Sequence, residues 1–157
     1  MKVEYHPIGI VHSPFKAAEG TPIQPSRSGK ARGTVEVFEE FVEGLDDLDG
    51  FSHIILLCHL HRSRSYCLKV VPFLDTCQRG LFATRAPSRP NPIGLSVVRL
   101  LGVDGDKLSI EQLDLLDGTP VLDIKPYVGK FDHRGEVREG WLETVQVRRD
   151  IADGRFE

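Results

Sequence analysis

The sequence contains no apolar run that approaches the length of a membrane-spanning helix. Its first residues, Met1 to His6, carry none of the charge and apolar pattern of a signal peptide. Cysteine is scarce. Cys58, Cys67 and Cys77 are odd in number and lack a CxxC spacing, so neither a disulfide framework nor a zinc knuckle is indicated. The expectation is three buried apolar thiols in a reducing compartment, the cytoplasm. No GxGxxG occurs, which argues against a Rossmann-type cofactor cradle. GxxxxGK[ST] and GxSxG are missing too, so neither a P-loop nor a nucleophile elbow is present. Internal repeats are absent, and so is any long helix pattern before residue 130.

What is there is one domain's worth of chain, 157 residues, with 40% hydrophobic content for a core. The net charge of −3 conceals an asymmetry. Residues 36–49 carry seven acids and no base. Residues 50–103 carry seven bases against the single acid Asp75. Gathered on one face, that middle third would attract a polyanion without making the whole protein basic. Spread out, it is only a solvated surface.

Strand signals dominate. Residues 3–12, 31–38, 51–61, 69–71, 80–84, 95–101, 107–112 and 121–125 read as strands by β-branched content and alternation. Val103-Asp-Gly-Asp106 reads as a hairpin turn. Phe41, Leu45 and Leu48 have the spacing of a short helical turn closed by Gly50. Within 51–61, Ile54, Leu56, Cys58 and Leu60 share one parity; His53, Ile55, Leu57, His59 and His61 share the other. The second set is apolar in its middle and ends in imidazoles, as in a strand that leads from a core to a cleft. The fold class expected is mainly β: a single-sheet barrel of about six to eight strands with short helical turns and long loops. Residues 1–130 would form it. Residues 131–157 would be an extension in which Trp141 docks on the barrel or on a partner subunit.

The sharpest local feature is RAPSRPNPIGLS at residues 85–96. Pro87, Pro90 and Pro92 fix their own φ and push the preceding residues towards extended geometry. The result is a stiff loop carrying Arg85, Arg89 and Asn91. It can serve as an anion or nucleotide clamp, or as a connection whose arginines cap carbonyls. A second feature, DLLDGTPVLDIKPY at residues 114–127, places a tight turn between two apolar runs. Residues 13–30 form a proline- and glycine-rich loop of the length that commonly carries function.

FATRAPSRPNPIGLS followed by LLDGTPVLDIKPY resembles the TrmO/TsaA-like family of S-adenosylmethionine-dependent tRNA methyltransferases. Gly9-Ile-Val-His-Ser-Pro14, Pro22-Ile-Gln24 and Gly50-Phe-Ser-His-Ile54 are similar to family segments in the family's order. The resemblance covers about residues 3–130. It implies a barrel that holds S-adenosylmethionine in loops. The contacts it implies are Pro22, Ile23 and Gln24, then His61 and Arg62, then Arg85 and Leu95, then Leu116, Asp117, Gly118 and Thr119. The chemistry is sensible. Ile23 and Leu95 offer apolar packing to an adenine. Asp117 is an acceptor for an ammonium or ribose hydroxyl. Arg62 or Arg85 suits a carboxylate. Gly118 allows close backbone approach. Without the family, Asp117-Gly118 reads as a plain turn.

The resemblance further implies methylation of N6 in the threonylcarbamoyladenosine beside the tRNA anticodon. Asn91 and Asp117 are then the candidates for acceptors at the amine. Arg64, Lys69, Arg79 and Arg89 are the candidates for phosphate contacts. A homodimer is expected, with no membrane partner. Two alternatives stand beside this reading. One is a non-catalytic module that binds the cofactor or RNA. The other is a metal-dependent hydrolase using His53, His59 and His61 with Asp117 or Asp123; the favoured reading has no metal.

Overall fold

The computed structural model describes residues 1–23, 29–145 and 151–153. Its strands are β1 (Gly9–His12), β2 (Arg32–Val37), β3 (His53–His59), β4 (Lys69–Val70), β5 (Arg79–Gly80), β6 (Ile93–Asp104), β7 (Lys107–Glu111) and β8 (Pro120–Pro126). Six of them close into a barrel in the order β1-β2-β7-β6-β3-β8, and β8 returns to β1. Every pairing around the barrel is antiparallel. The other two, β4 and β5, form a separate two-stranded ribbon.

Alternation produces this architecture. On β3, Ile54, Leu56 and Cys58 are fully buried while Ile55 and Leu57 are only half-buried. The same parity rule puts Val11, Val35, Val98, Leu108, Ile110 and Val121 inside. A six-stranded barrel is narrow enough for such side chains to fill it. Gly33 lets β2 pass close to β1, since a Cβ there would lie 2.5 Å from the His12 carbonyl oxygen. The two 3-10 turns Glu39–Leu45 and Leu48–Gly50 bury Leu45 and Leu48 against the same core.

Register fixes where the connections go. His12 pairs with Thr34, Arg32 with Glu111, and His59 with Ile93. Cys58 pairs with Val121. These residues all sit at one end of the barrel. The connections 13–31, 60–92 and 112–119 therefore emerge together there. The opposite end has 38–52, the hairpin turn at 105–106 and the exit from β8.

Several expectations need correction. The first strand begins only at Gly9. Pro7 has no N–H to donate, and Ile8 adds one bond to the Val121 carbonyl at 2.8 Å. Residues 80–84 are not a strand. Gly80 ends β5, and Leu81–Ala83 is a 3-10 turn. The N–H and hydroxyl of Thr84 both donate to the Leu81 carbonyl, at 3.1 and 2.8 Å, so the hydrogen bonding there is local. The strand expected over 95–101 runs from Ile93 to Asp104. Lys69–Val70 is paired, but outside the barrel.

Cysteine burial also differs. Cys58 is buried, whereas Cys67 and Cys77 are exposed beside the ribbon. Burial first, and then the neighbouring Asp114 carboxyl, push the Cys58 thiol up to about 12. A thiol reagent should label Cys67 and Cys77 in the native protein and reach Cys58 only after denaturation. Rapid labelling of all three thiols without denaturant would contradict this burial.

Candidate cofactor site at the loop end of the barrel

The loop end gathers residues from three separate stretches of sequence. Pro22 and Ile23 lie in 13–31. His61, Arg62, Arg85 and Asn91 lie in 60–92, with Leu95 three residues into β6. Leu116, Asp117, Gly118 and Thr119 lie in 112–119. Gln24 falls outside the described residues.

The turn at 116–119 is built locally. Both the N–H and the hydroxyl of Thr119 donate to the Leu116 carbonyl, at 3.2 and 2.7 Å. Gly118 takes φ +75°, and nothing lies within 4 Å of the position a Cβ would occupy. That left-handed backbone is the reason for glycine here; the open space above it remains available to a ligand. Asp117 clasps the turn to the first loop. Its carboxylate accepts the Ser13 N–H at 2.9 Å and pairs with Lys16 at 2.7 Å. Its own N–H donates to the Phe15 carbonyl at 2.8 Å. The Lys16 bond first, then the Ser13 N–H, hold the Asp117 carboxyl below the usual range. It is a permanent carboxylate, suited to accepting from a ligand ammonium or hydroxyl and ill-suited to taking up a proton.

Asp114 was not singled out from the sequence, yet it is the most unusual group at this end. The Ser96 hydroxyl on β6 donates to its carboxylate at 2.7 Å. Loss of water pushes its carboxyl up to about 7, against the opposing effects of the Ser96 bond and the Arg85 charge. Fully buried Leu113 and buried Leu115 flank it. An acid inside an apolar run was the signal available in the sequence. Nearby, partial burial, then Arg62 and His59, push His61 down, which keeps its imidazole neutral at pH 7.

The basic residues divide. Arg62, Arg64 and Lys69 are exposed, with no ion pair among the described residues. Arg79 instead pairs with Asp75 at 2.6 Å and lies 5.3 Å from the Trp141 ring. Arg89 is turned inward. Its guanidinium donates to the carbonyls of Leu81, Thr84 and Ala86 at 3.4, 3.0 and 3.3 Å and lies over Phe82. Capping of carbonyls is thus what Arg89 does in the proline loop. Asn91 is exposed, while the Pro92 carbonyl accepts the Leu60 N–H at 2.7 Å. Arg99 lies further along β6 and faces Glu111 at 3.8 Å.

The three histidines do not converge, because His53 lies at the far end of β3 from His59 and His61. His53 begins β3 and bonds Ser52 at 2.9 Å, while His59 ends the strand. Among the described residues no group of three or more His, Cys, Asp or Glu side chains is placed to hold a metal ion. Two shallow depressions of about 430 and 350 Å³, one in the C-terminal tail and one over β2, β6 and β7, contain none of the predicted cofactor residues. Among the described residues no helix is long and apolar enough to cross a membrane.

A closed antiparallel barrel with the connections 13–31, 60–92 and 112–119 together at one end is a barrel domain with a loop-built candidate site. The chain belongs to the tRNA-methyltransferase O N-terminal domain family, whose model matches residues 10–133. It is 56% identical, over 97% of its length and 84% of the relative's, to a probable S-adenosyl-L-methionine-binding protein of Pyrococcus abyssi. It is 40% identical to the mouse tRNA (adenine(37)-N6)-methyltransferase over 80% of this chain, but spans only 31% of that enzyme. The crystal structure of TrmO from Pseudomonas aeruginosa superposes with a TM-score of 0.77 at 42% identity, over 89% of this chain and 62% of that one. Membership supports a methyltransferase lineage and a fold shared with these proteins.

Burial of Asp114 makes stability depend on pH. The folded protein keeps a proton on Asp114 up to about pH 7, whereas the unfolded chain releases it near the ordinary value of 3.8. The contribution is therefore full below pH 4 and is lost as pH rises towards 7, by up to about 4 kcal/mol. Asp114→Asn should match the wild type in thermal unfolding below pH 4 and exceed it above pH 7. Parallel pH profiles for the two proteins would mean that Asp114 titrates alike in the folded and unfolded chain, with no effect of burial.

Proposed function

We propose that the protein is an S-adenosylmethionine-dependent methyltransferase that acts on N6 of threonylcarbamoyladenosine next to the tRNA anticodon. The observation that carries this reading is the convergence at one barrel end of the residues that the family resemblance assigns to the cofactor. Three connections far apart in sequence meet there, and the match in family and in fold supports the assignment.

The residues present fit the cofactor. The open space over Gly118 accepts a ligand close to the backbone. Leu95, more than half exposed at 54%, and Ile93 give an apolar surface for a purine. The Asp117 carboxylate is an acceptor for ammonium or ribose, and Arg62 or Arg85 is a cation for the carboxylate. Neutral His61 adds no positive charge beside a sulfonium. When bound, the cofactor supplies an electrophilic methyl group. The protein's part is to align the amine behind it, exclude water and accept from the amine's N–H. The exposed Asn91 amide is the candidate for that acceptor role; Asp117 serves better at the cofactor.

For RNA, exposed Arg64 and Lys69 stand beside exposed Tyr66 and Leu68, with Phe82 nearby in the same long connection. Cations interleaved with aromatic rings suit a single-stranded loop, whose unstacked bases lie on rings while its phosphates meet cations. A target base also leaves its stack more cheaply in such a loop than in a duplex. Ile55, Leu57 and Val97 extend the apolar surface of Ile93 and Leu95 along the outer face of β3 and β6, which supports a homodimer formed beside the cofactor.

A second reading is a binding module without catalysis. The name of the Pyrococcus relative, which speaks of binding alone, favours it. Transfer of labelled methyl from S-adenosylmethionine to bulk tRNA separates the two. We expect incorporation only into tRNA that carries the threonylcarbamoyl group. Cofactor binding without incorporation would favour the module.

Arg85→Ala should weaken cofactor binding by about 1–3 kcal/mol through the loss of one charge-assisted bond. Equal calorimetric affinities would remove Arg85 from the site. Arg64→Ala and Lys69→Ala should each lower the slope of log tRNA affinity against log salt by roughly 0.7, the value for single-stranded contacts, and leave cofactor affinity unchanged. Unchanged slopes would move the RNA to another face.

A further inference from the structure

Beyond the family segment, the C-terminal tail touches the loop end twice. It leaves β8 at the opposite end of the barrel, so it must run back along the molecule to do so. At the first contact the Trp141 indole N–H donates to the Ala83 carbonyl at 2.8 Å, and the Arg79 guanidinium lies 5.3 Å from the ring centre. Arg79 is itself fixed by Asp75 at 2.6 Å. These contacts pin the segment that leads directly into Arg85 and the proline loop. At the second contact Ile151 bridges to Pro22. The Ala152 N–H donates to the Thr21 carbonyl at 2.7 Å, and the Gly20 N–H donates to the Ala152 carbonyl at 3.0 Å. These contacts pin the segment that carries Pro22 and Ile23.

The two segments so held are the ones with the least support from the barrel ladder. Loop 112–119 is clasped by Asp117 and by Ser96 through Asp114. The segment around Leu81–Ala83 is a short 3-10 turn beside a two-stranded ribbon; Arg89 holds it from within its own connection, but no barrel strand does. Among the described residues, 20–23 make one isolated bridge, and it is to the tail. A loop left unanchored has to be ordered when a ligand binds, and that ordering weakens binding.

We propose that the tail is a strap that preorganises the cofactor loops, with Trp141 as a positioning residue acting through Ala83 and Arg79. This rests on the cofactor reading above. Trp141 need not touch the cofactor; it sets where Arg85 stands. Because it is the chain's single tryptophan, its fluorescence reports the strap directly.

The test uses full-length protein titrated with S-adenosylhomocysteine, followed by calorimetry and by tryptophan emission. Emission of the wild type should shift on binding. Trp141→Ala should bind about tenfold more weakly, the combined worth of one neutral hydrogen bond and one exposed cation–π contact. Trp141→Phe keeps the ring and should fall between the two. Ala152→Pro removes the donor to Thr21 at the other contact and should weaken binding in the same direction, so the inference stands on two variants that act at different places. Each variant should still unfold cooperatively, since neither side chain belongs to the barrel core. Wild-type binding with unchanged affinity in both Trp141→Ala and Ala152→Pro would overturn the strap alone. No binding by the wild type would overturn the cofactor reading and the strap with it.

Discussion

Closure of six antiparallel strands is the constraint from which the rest follows. An open sheet leaves two rows of unpaired backbone groups; a barrel leaves none. Closure also fixes which connections share an end, because each strand reverses the direction of its neighbour. In this chain the connections 13–31, 60–92 and 112–119 fall at one end, and the other end has the two-residue hairpin turn and the helical turns of 38–52. A binding site made wholly of loops needs such a rigid frame, since the loops contribute little order of their own.

Two carboxylates then convert neighbouring loops into one surface, by opposite physics. Asp117 is half-exposed, ionised and clasped by Lys16 and the Ser13 N–H. Asp114 is desolvated, is supported by the Ser96 hydroxyl, and titrates near neutrality. Three residues apart in sequence, one ties the DGT turn to the first loop and the other ties it to β6. The basic loop is organised differently. Arg89 and Arg79 spend their charge on carbonyls, Asp75 and aromatic rings, which stiffens the segment that presents Arg85. Charge in sequence is thus divided between building the loop and facing outward.

Much of this was legible in the residues. The alternation across Ile54, Leu56 and Cys58 foretold the buried face of β3, and Val103-Asp-Gly-Asp106 foretold the hairpin. Both are local signals, set by side-chain period and by turn chemistry. What was not legible depends on partners distant in sequence. Residues 80–84 have strand composition, but Thr84 satisfies the Leu81 carbonyl locally and the segment curls. Arg89 looks like a phosphate ligand until three carbonyls are seen around it. Cys67 and Cys77 look like core thiols until the ribbon is seen to lie outside the barrel. The site residues could be gathered from sequence only through the family motifs. Spacing alone does not reveal that Pro22, Arg62 and Asp117 share one end of a barrel.

The central claim is that this end, and not the outer wall or the opposite end, receives the cofactor. Hydrogen exchange on the full-length protein, with and without saturating S-adenosylhomocysteine, tests it most directly. The account predicts slowed exchange in peptides from 13–31, 60–92 and 112–119, with 38–52 and the turn at 105–106 unchanged. Protection confined to 38–52 and 105–106, or spread evenly around the barrel wall, would contradict it.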